Sequence, residues 1–243
     1  MSESRRVAIV TGASRGLGAV IADVLATRGY DVVIGGRDSV ALEDAAVRLR
    51  ARGASVQVAS GDIVDPATRE RLIDGARALG GLDLLVNNAS ELGPIGPLTA
   101  FDVPKLGRLM PVNAGAPLLL MQMAVPLLAR RRGLIVNITS DAAVAAYPGW
   151  GPYGASKAAL ELLSRTLATE LADRHVSVLL VDPGDMRTRM QQEAFPGEDI
   201  SDRPLPEITT PFWQWLLDQP TESLRGQRLI AQSEDPRWSR QAS

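Results

Sequence analysis

Apolar residues in this chain come in short β-branched runs that alternate with longer stretches of helical spacing. Arg6-Val-Ala-Ile-Val-Thr11 reads as a buried parallel strand, and Val20, Ile21, Val24 and Leu25 carry a helical pattern through Arg28. Asp31-Val-Val-Ile-Gly-Gly36 is a second strand, and Ser39 to Arg52 a second helix with its charges on one side. Ala54 to Ser60, Leu82 to Asn87, Leu134 to Thr139 and Val176 to Asp182 read as four further strands. Between them, Pro66 to Leu79 is helical, and a loop punctuated by Pro and Gly over 92–98 leads to a long helix around 101–130. That helix is expected to be interrupted near Pro111 and Pro117, where the backbone lacks an N–H. Another helix starts near Gly151 or Pro152, with leucines at 160, 163, 167 and 171. Arg225-Gly-Gln-Arg-Leu-Ile-Ala231 could supply a final strand. Strand and helix alternate throughout, which predicts an α/β fold: an open, doubly wound parallel sheet with helices on both faces and right-handed crossovers.

Composition narrows the setting. At 45% apolar content the 243 residues can bury one sizeable core, and nothing demands a second domain. A net charge of −2 gives no electrostatic case for nucleic acid or an anionic membrane as partner. The absence of cysteine removes disulfides, thiol nucleophiles and cysteine metal sites. The single histidine, His175, argues against a histidine metal site or a Ser-His-Asp triad, and at a helix end it reads as a capping or surface group. The N-terminus leads into only four apolar residues, too few for a signal peptide, and no uninterrupted apolar run approaches membrane-spanning length. The expectation is a soluble, cytoplasmic globular protein.

Two stretches carry chemistry. Thr11-Gly-Ala-Ser-Arg-Gly-Leu-Gly18 joins the first strand to the first helix, the context a phosphate-binding loop requires. Its glycines permit tight turning and close backbone approach, and the helix N-terminus offers free N–H groups to a pyrophosphate. The second stretch runs from Thr139 to Lys157 and contains Ser140, Tyr153 and Lys157. Tyr153 and Lys157 stand one turn apart on one helix face, with Ser140 at the preceding strand end. A free phenol titrates near about 10, and a lysine ammonium held close favours the phenolate and lowers that value. A serine hydroxyl can hydrogen-bond a carbonyl oxygen that gains charge as hydride arrives.

Together these residues resemble the short-chain dehydrogenase/reductase family in its compact single-domain branch, over roughly residues 5–190. The resemblance implies a Rossmann-type sheet of about seven strands in a single domain, and hydride transfer between a nicotinamide and a carbonyl or secondary alcohol substrate. It makes Tyr153 the acid/base and Lys157 the residue that lowers its pKa and binds ribose. Ser140 becomes the ligand of the carbonyl oxygen, and Asn113 keeps a water in the proton relay. A plainer role for Asn113 is satisfying backbone groups at a helix interruption. For the cofactor the resemblance points to Gly12, Ser14, Arg15, Gly16, Leu17 and Gly18, then to Asp62 at the adenine with Ile63. It adds Asn88 and Ala89, Tyr153 and Lys157, and Pro183, Gly184, Met186 and Thr188 at the nicotinamide. Ser90 departs from the family's glycine, and a polar tail at 232–243 replaces the usual closing Asp-Gly-Gly. In the family that end often builds a subunit interface, so a homo-oligomer is expected, with a dimer favoured over a tetramer by the missing ending.

The second strand ends at Gly36, where an acid would select NAD, and Arg37 follows with a guanidinium suited to a 2′-phosphate. With Arg15 in the loop this favours NADP(H), while Asp38 is expected to cap the next helix. Residues 185–212 have little periodicity and fit a substrate lid, with Met186, Met190, Phe195, Tyr147 and Trp150 as pocket walls. Phe212, Trp213 and Trp215 are expected to pack a helix onto the core, and Asp141 to bond local backbone. Rival readings are a regulator that senses NADP(H) without turnover, an NAD-preferring alcohol dehydrogenase, and an epimerase or dehydratase of the same fold.

Overall fold

The structure, a computed structural model, describes residues 5–233 and 238. Seven parallel strands form one sheet in the order β3-β2-β1-β4-β5-β6-β7. They are β1 (Val7–Thr11), β2 (Asp31–Gly36), β3 (Val56–Ser60), β4 (Leu84–Asn87), β5 (Leu134–Ile138), β6 (Ser177–Asp182) and β7 (Arg228–Ile230). The single-domain, doubly wound Rossmann-type architecture is therefore the one expected. Strand residues alternate between two cores, which is why each strand reads as a continuous apolar run. In β1, Ala8 and Val10 face the layer of α1 (Gly16–Thr27), α2 (Ser39–Ala51) and α8 (Thr210–Leu217). Val7 and Ile9 face α3 (Pro66–Ala78) and α5 (Ala116–Arg131) on the other side, where α6 (Gly151–Glu170) also packs. Asp38 and Asp65 cap α2 and α3 by accepting from the backbone N–H groups of Ala41 and Ala67.

The long helix differs from expectation in an informative way. After α4 (Leu106–Met110) a π turn spans Pro111–Gly115 and the helix continues as α5. Pro111 cannot donate to the ladder, so the turn widens there, whereas Pro117 lies in the first turn of α5 and breaks nothing. By length and composition alone, Gly107–Arg131 could cross a membrane, although Arg108, Asn113 and Gln122 interrupt its apolar run. In the fold it is a core helix, with Leu120, Met121, Ala124 and Leu128 fully buried. His175 sits at a helix end in the left-handed region, as a surface group beside Arg132 and Glu222.

The final strand exists, and it brings a charge into the interior. Arg228 on β7 is 5% exposed. Its guanidinium donates to Glu161 on α6 (2.9 Å), to Asp182 at the end of β6 (2.9 Å) and to the Ser140 carbonyl (3.1 Å). Arg165 and the Thr139 hydroxyl also hold Glu161. Beyond β7, Trp238 is docked rather than part of a free polar tail: it stacks on Trp215 at 5.1 Å and donates to the Ala231 carbonyl. Residues 234–237 and 239–243 of the expected tail, and residues 1–4, lie outside the described residues. Phe212 and Trp213 are buried and pack α8 onto the core, with Trp215 against them.

Removing one member of a buried ion pair leaves an uncompensated charge, a loss of roughly 3–5 kcal/mol. Arg228→Met should therefore lower the free energy of unfolding by about that amount in a urea titration. A change within experimental error of zero would show that Glu161 and Asp182 do not depend on it.

Candidate active site

The strand order reverses between β1 and β4, and a groove opens at the carboxyl ends of the strands there. Its cavity volume of about 1440 Å³ exceeds that of an ordinary small-ligand pocket and suits a dinucleotide with a second small molecule. Every residue assigned to the cofactor from sequence lines this groove, from Gly12 through Thr188.

Its floor is the glycine loop. Gly12 has φ +67°, and a Cβ there would stand 2.8 Å from the Asn88 amide nitrogen. A Cβ on Gly18 would collide with the Gly12 carbonyl oxygen. Asn88 donates from its side chain to the carbonyls of Thr11 (2.9 Å) and Gly12 (3.2 Å). The Thr11 hydroxyl accepts from the backbone N–H groups of Asn88 and Ala89, both at 3.0 Å. Arg15 precedes α1 without capping it through its side chain, so first-turn N–H groups remain for an anion. A pyrophosphate fits this cradle.

At the other end stand the candidate catalytic groups. Tyr153 and Lys157 lie in the first two turns of α6, and Ser140 follows β5 by two residues. Lys157 is buried, donates to the Ile138 carbonyl at 2.9 Å, and its Nζ lies 5.7 Å from the Tyr153 ring centre. Burial holds its pKa down at about 8, with Asp182 opposing. The Tyr153 phenol is pushed up to about 12, chiefly by burial; the hydroxyls of Ser140 and Ser90 act in the opposite direction. This corrects the expectation for Lys157: in this structure its ammonium is directed to a carbonyl, and the phenol is not brought below its ordinary value. The Ser140 hydroxyl donates to Asp141 (2.9 Å), and the other Asp141 oxygen accepts from Tyr147 (2.7 Å). Asp141 thus bonds local backbone, through the Ala142 N–H, but orients two side chains as well.

Asn113 stands apart from the groove. The π turn directs its side chain inward, where the oxygen accepts from the Ser90 hydroxyl and the Glu91 N–H, and the nitrogen donates to the Glu91 carbonyl and Ser156. That fills the hydrogen-bonding capacity of an asparagine side chain. The plainer role is the observed one: Asn113 clamps the loop after β4 onto α6, and its side chain has no place left for a relay water.

The adenosine end is more charged than the sequence suggested. Arg15 pairs with Asp38. Arg37 pairs with Glu91 (2.5 Å), and Arg108 holds both Glu91 (2.9 Å) and Asp62 (2.6 Å). Against the effect of burial, the Val64 backbone N–H and then Arg108 hold the Asp62 carboxyl below its usual range. Glu91 and Arg108 belong to no motif, and the aperiodic stretch around residue 108 gave no signal of where its side chains would reach.

The segment expected as a lid is more regular than its sequence pattern. It holds α7 (Arg189–Ala194), capped by Thr188, and ends in α8. Trp150 meets Phe195 at 6.1 Å and Tyr153 at 5.8 Å, and Met190 packs with them, so these walls come together as expected. Met186 lines the groove too, although its packing is with the α8 core. Among the described residues no cluster of His, Cys, Asp or Glu could hold a metal.

Comparison with known proteins agrees with this fold. A family model described as short chain dehydrogenase matches residues 6–199. Gluconate 5-dehydrogenase of Gluconobacter oxydans is 34% identical over 200 residues, covering 80% of this chain and 77% of that protein. The rhamnolipid-biosynthesis 3-oxoacyl-[acyl-carrier-protein] reductase of Pseudomonas aeruginosa is 38% identical over 195 residues, covering 76% and 74%. A short chain dehydrogenase from Shigella flexneri complexed with NADP superposes with a TM-score of 0.85 at 30% identity, covering 94% of this chain and 97% of that one.

The buried ammonium gives a pH-dependent stability. Burial lowers the Lys157 pKa in the folded protein to about 8 from an ordinary lysine value of 10.5, so the unfolded chain binds more protons between those values. Its contribution is most favourable above pH 10.5 and is lost as pH falls through 8. Relative to Lys157→Met, the parent should gain stability in urea titrations between pH 7.5 and pH 10. A difference that stays constant would mean that Lys157 is not desolvated.

Proposed function

This chain belongs to the short chain dehydrogenase family, and from that premise we propose that it is an NADP(H)-dependent carbonyl reductase or alcohol dehydrogenase. It is an oxidoreductase whose family transfers hydride with a nicotinamide cofactor. The observation that carries the finer reading is the meeting of Tyr153, Ser140 and Lys157 at one end of a groove whose other end presents Arg15 and Arg37.

A bound nicotinamide dinucleotide supplies or accepts the hydride. The chain's own groups do the rest. Tyr153 holds its proton at Oη under ordinary conditions, so in reduction it gives that proton to the substrate oxygen. Ser140 turns its hydroxyl from Asp141 toward the same oxygen and stabilises the charge that develops there. Lys157 places a positive charge beside the phenol and a donor toward ribose hydroxyls. The cradle formed by Gly12, Gly16, Gly18 and the start of α1 holds pyrophosphate, Asp62 and Ile63 border the adenine, and Pro183, Gly184 and Thr188 border the nicotinamide.

Arg15 and Arg37 are paired with carboxylates in this structure, which bears on the choice of dinucleotide. Exposed pairs of this kind contribute only about 0–1 kcal/mol. A phosphate dianion offers more charge and three acceptor oxygens, so it outcompetes them for a guanidinium. The superposable NADP complex supports the same choice. Trp150, Phe195 and Met190 make the substrate wall apolar, and Arg189 is engaged by Glu193, which supports neutral, fairly apolar carbonyl compounds as substrates. Outward-facing Leu119 and Leu162 on α5 and α6 support a homo-oligomer.

A panel of ketones, aldehydes and secondary alcohols, followed by NADPH absorbance, should yield turnover that Tyr153→Phe reduces by about 10²-fold or more without loss of cofactor binding. Near-parental kcat in that variant, or a panel led by sugar phosphates or keto-diacids, would overturn the respective assignment.

Calorimetric titration should show NADPH binding more tightly than NADH at moderate salt, with Arg37→Ala weakening NADPH alone. Tighter NADH, or unchanged NADPH affinity in the variant, would refute the role given to Arg37.

A further inference from the structure

Arg37 reaches across the groove to a carboxylate that no phosphate-binding motif contains. Glu91 lies in the loop after β4, is 21% exposed, and accepts from Arg37 at 2.5 Å. Arg108, on the opposite wall, grips both Glu91 oxygens through Nε (3.1 and 3.0 Å) and one through Nη2 (2.9 Å). The same Nη2 reaches Asp62 at 2.6 Å. Arg37, Glu91, Arg108 and Asp62 thus form a chain of alternating charge from the β2–α2 turn to the β3–α3 turn, across the adenosine end.

We infer that the Glu91–Arg108 pair is a specificity-determining element that sets how readily Arg37 is released to a 2′-phosphorylated adenosine. The inference rests on the proposed NADP(H) preference. Arg37 holds Glu91 in the free protein and exchanges it for the phosphate. An adenosine with a plain 2′-hydroxyl demands no such exchange, so the strength of the Arg37–Glu91 contact weighs on one dinucleotide and not on the other. That strength is governed by Arg108. By neutralising Glu91 from the far side it weakens Glu91's hold on Arg37, and it keeps the carboxylate compensated after Arg37 has left. Glu91 opposes the phosphate; Arg108 relieves that opposition. Because Arg108 also touches Asp62, at the adenine edge, a change at Arg108 acts on both dinucleotides. The informative quantity is therefore their ratio.

The two residues should then move discrimination in opposite directions. Kd values for NADPH and NADH, measured by calorimetry at one fixed ionic strength, give the ratio Kd(NADH)/Kd(NADPH) for each protein. Glu91→Gln should raise this ratio by about three-fold, the scale of one exposed ion pair. Arg108→Ala should lower it by a similar factor, because an uncompensated Glu91 holds Arg37 harder. The double variant should match Glu91→Gln, since Arg108 has no work left once the carboxylate is gone. All four side chains are at least one-fifth exposed, so the variants should fold, and a thermal melt checks this. A ratio below one in the parent would refute the NADP(H) reading, whatever the variants do. A parent that prefers NADPH, with a ratio unchanged in both single variants or shifted in the same direction by both, would overturn the role of Glu91 and Arg108 alone.

Discussion

The junction between β1 and β4 is the constraint on which the rest of the molecule depends. Two parallel strands end side by side there, and the chain leaves them in opposite directions, so a groove must open above them. The Thr11 hydroxyl receives two backbone N–H groups from the segment after β4, while the Asn88 amide returns two donations to the glycine loop. These four bonds pin a glycine-rich loop that packs only Ala13 and Leu17 into the core. Gly12 and Gly18 are then required by contact: any Cβ would strike Asn88 or the loop backbone. The candidate phosphate cradle is thus held by the protein's own contacts, and α1 is aimed by it.

Much of this was legible in the sequence because it depends on local rules. The seven strands, the start of α6 at Gly151 and the capping by Asp38 follow from periodicity, proline placement and side-chain chemistry that act within a few residues. Tyr153, Lys157 and Ser140 were found because helix geometry and one strand end suffice to bring them together. The π turn at Pro111–Gly115 was only half legible: a proline announces a break, but whether the helix ends or widens is decided by packing. The side-chain role of Asn113 was not legible for the same reason. Its partners Ser90, Glu91 and Ser156 arrive from two other elements, and no local pattern records them. Glu91, Arg108 and Arg228 were missed because their meaning is entirely long-range.

Burial, more than charge pairing, sets the character of the catalytic end. Tyr153, Lys157 and Asp182 are all shifted toward their neutral forms, with desolvation the largest cause in each case. The adenosine end shows the opposite regime. Asp62 is shifted toward its charged form there: desolvation is again the largest single cause, but the Val64 N–H, Arg108 and Arg37 together outweigh it. One groove therefore holds a dry end suited to moving a proton and a wet end suited to recognising phosphate and ribose.

Arg228 gives the molecule an order of assembly. Its partners lie far upstream in the chain: Ser140 by 88 positions, Glu161 by 67 and Asp182 by 46. On a ribosome, β1 to β6 can leave the exit tunnel and begin to pair while Glu161 and Asp182 still lack this counter-ion. The glycine loop and the Asn88 amide that braces it emerge early, whereas the backing of the Ser140 loop waits for the last of the seven strands. A nascent chain thus completes its glycine loop well before the wall behind the Ser140 hydroxyl is in place.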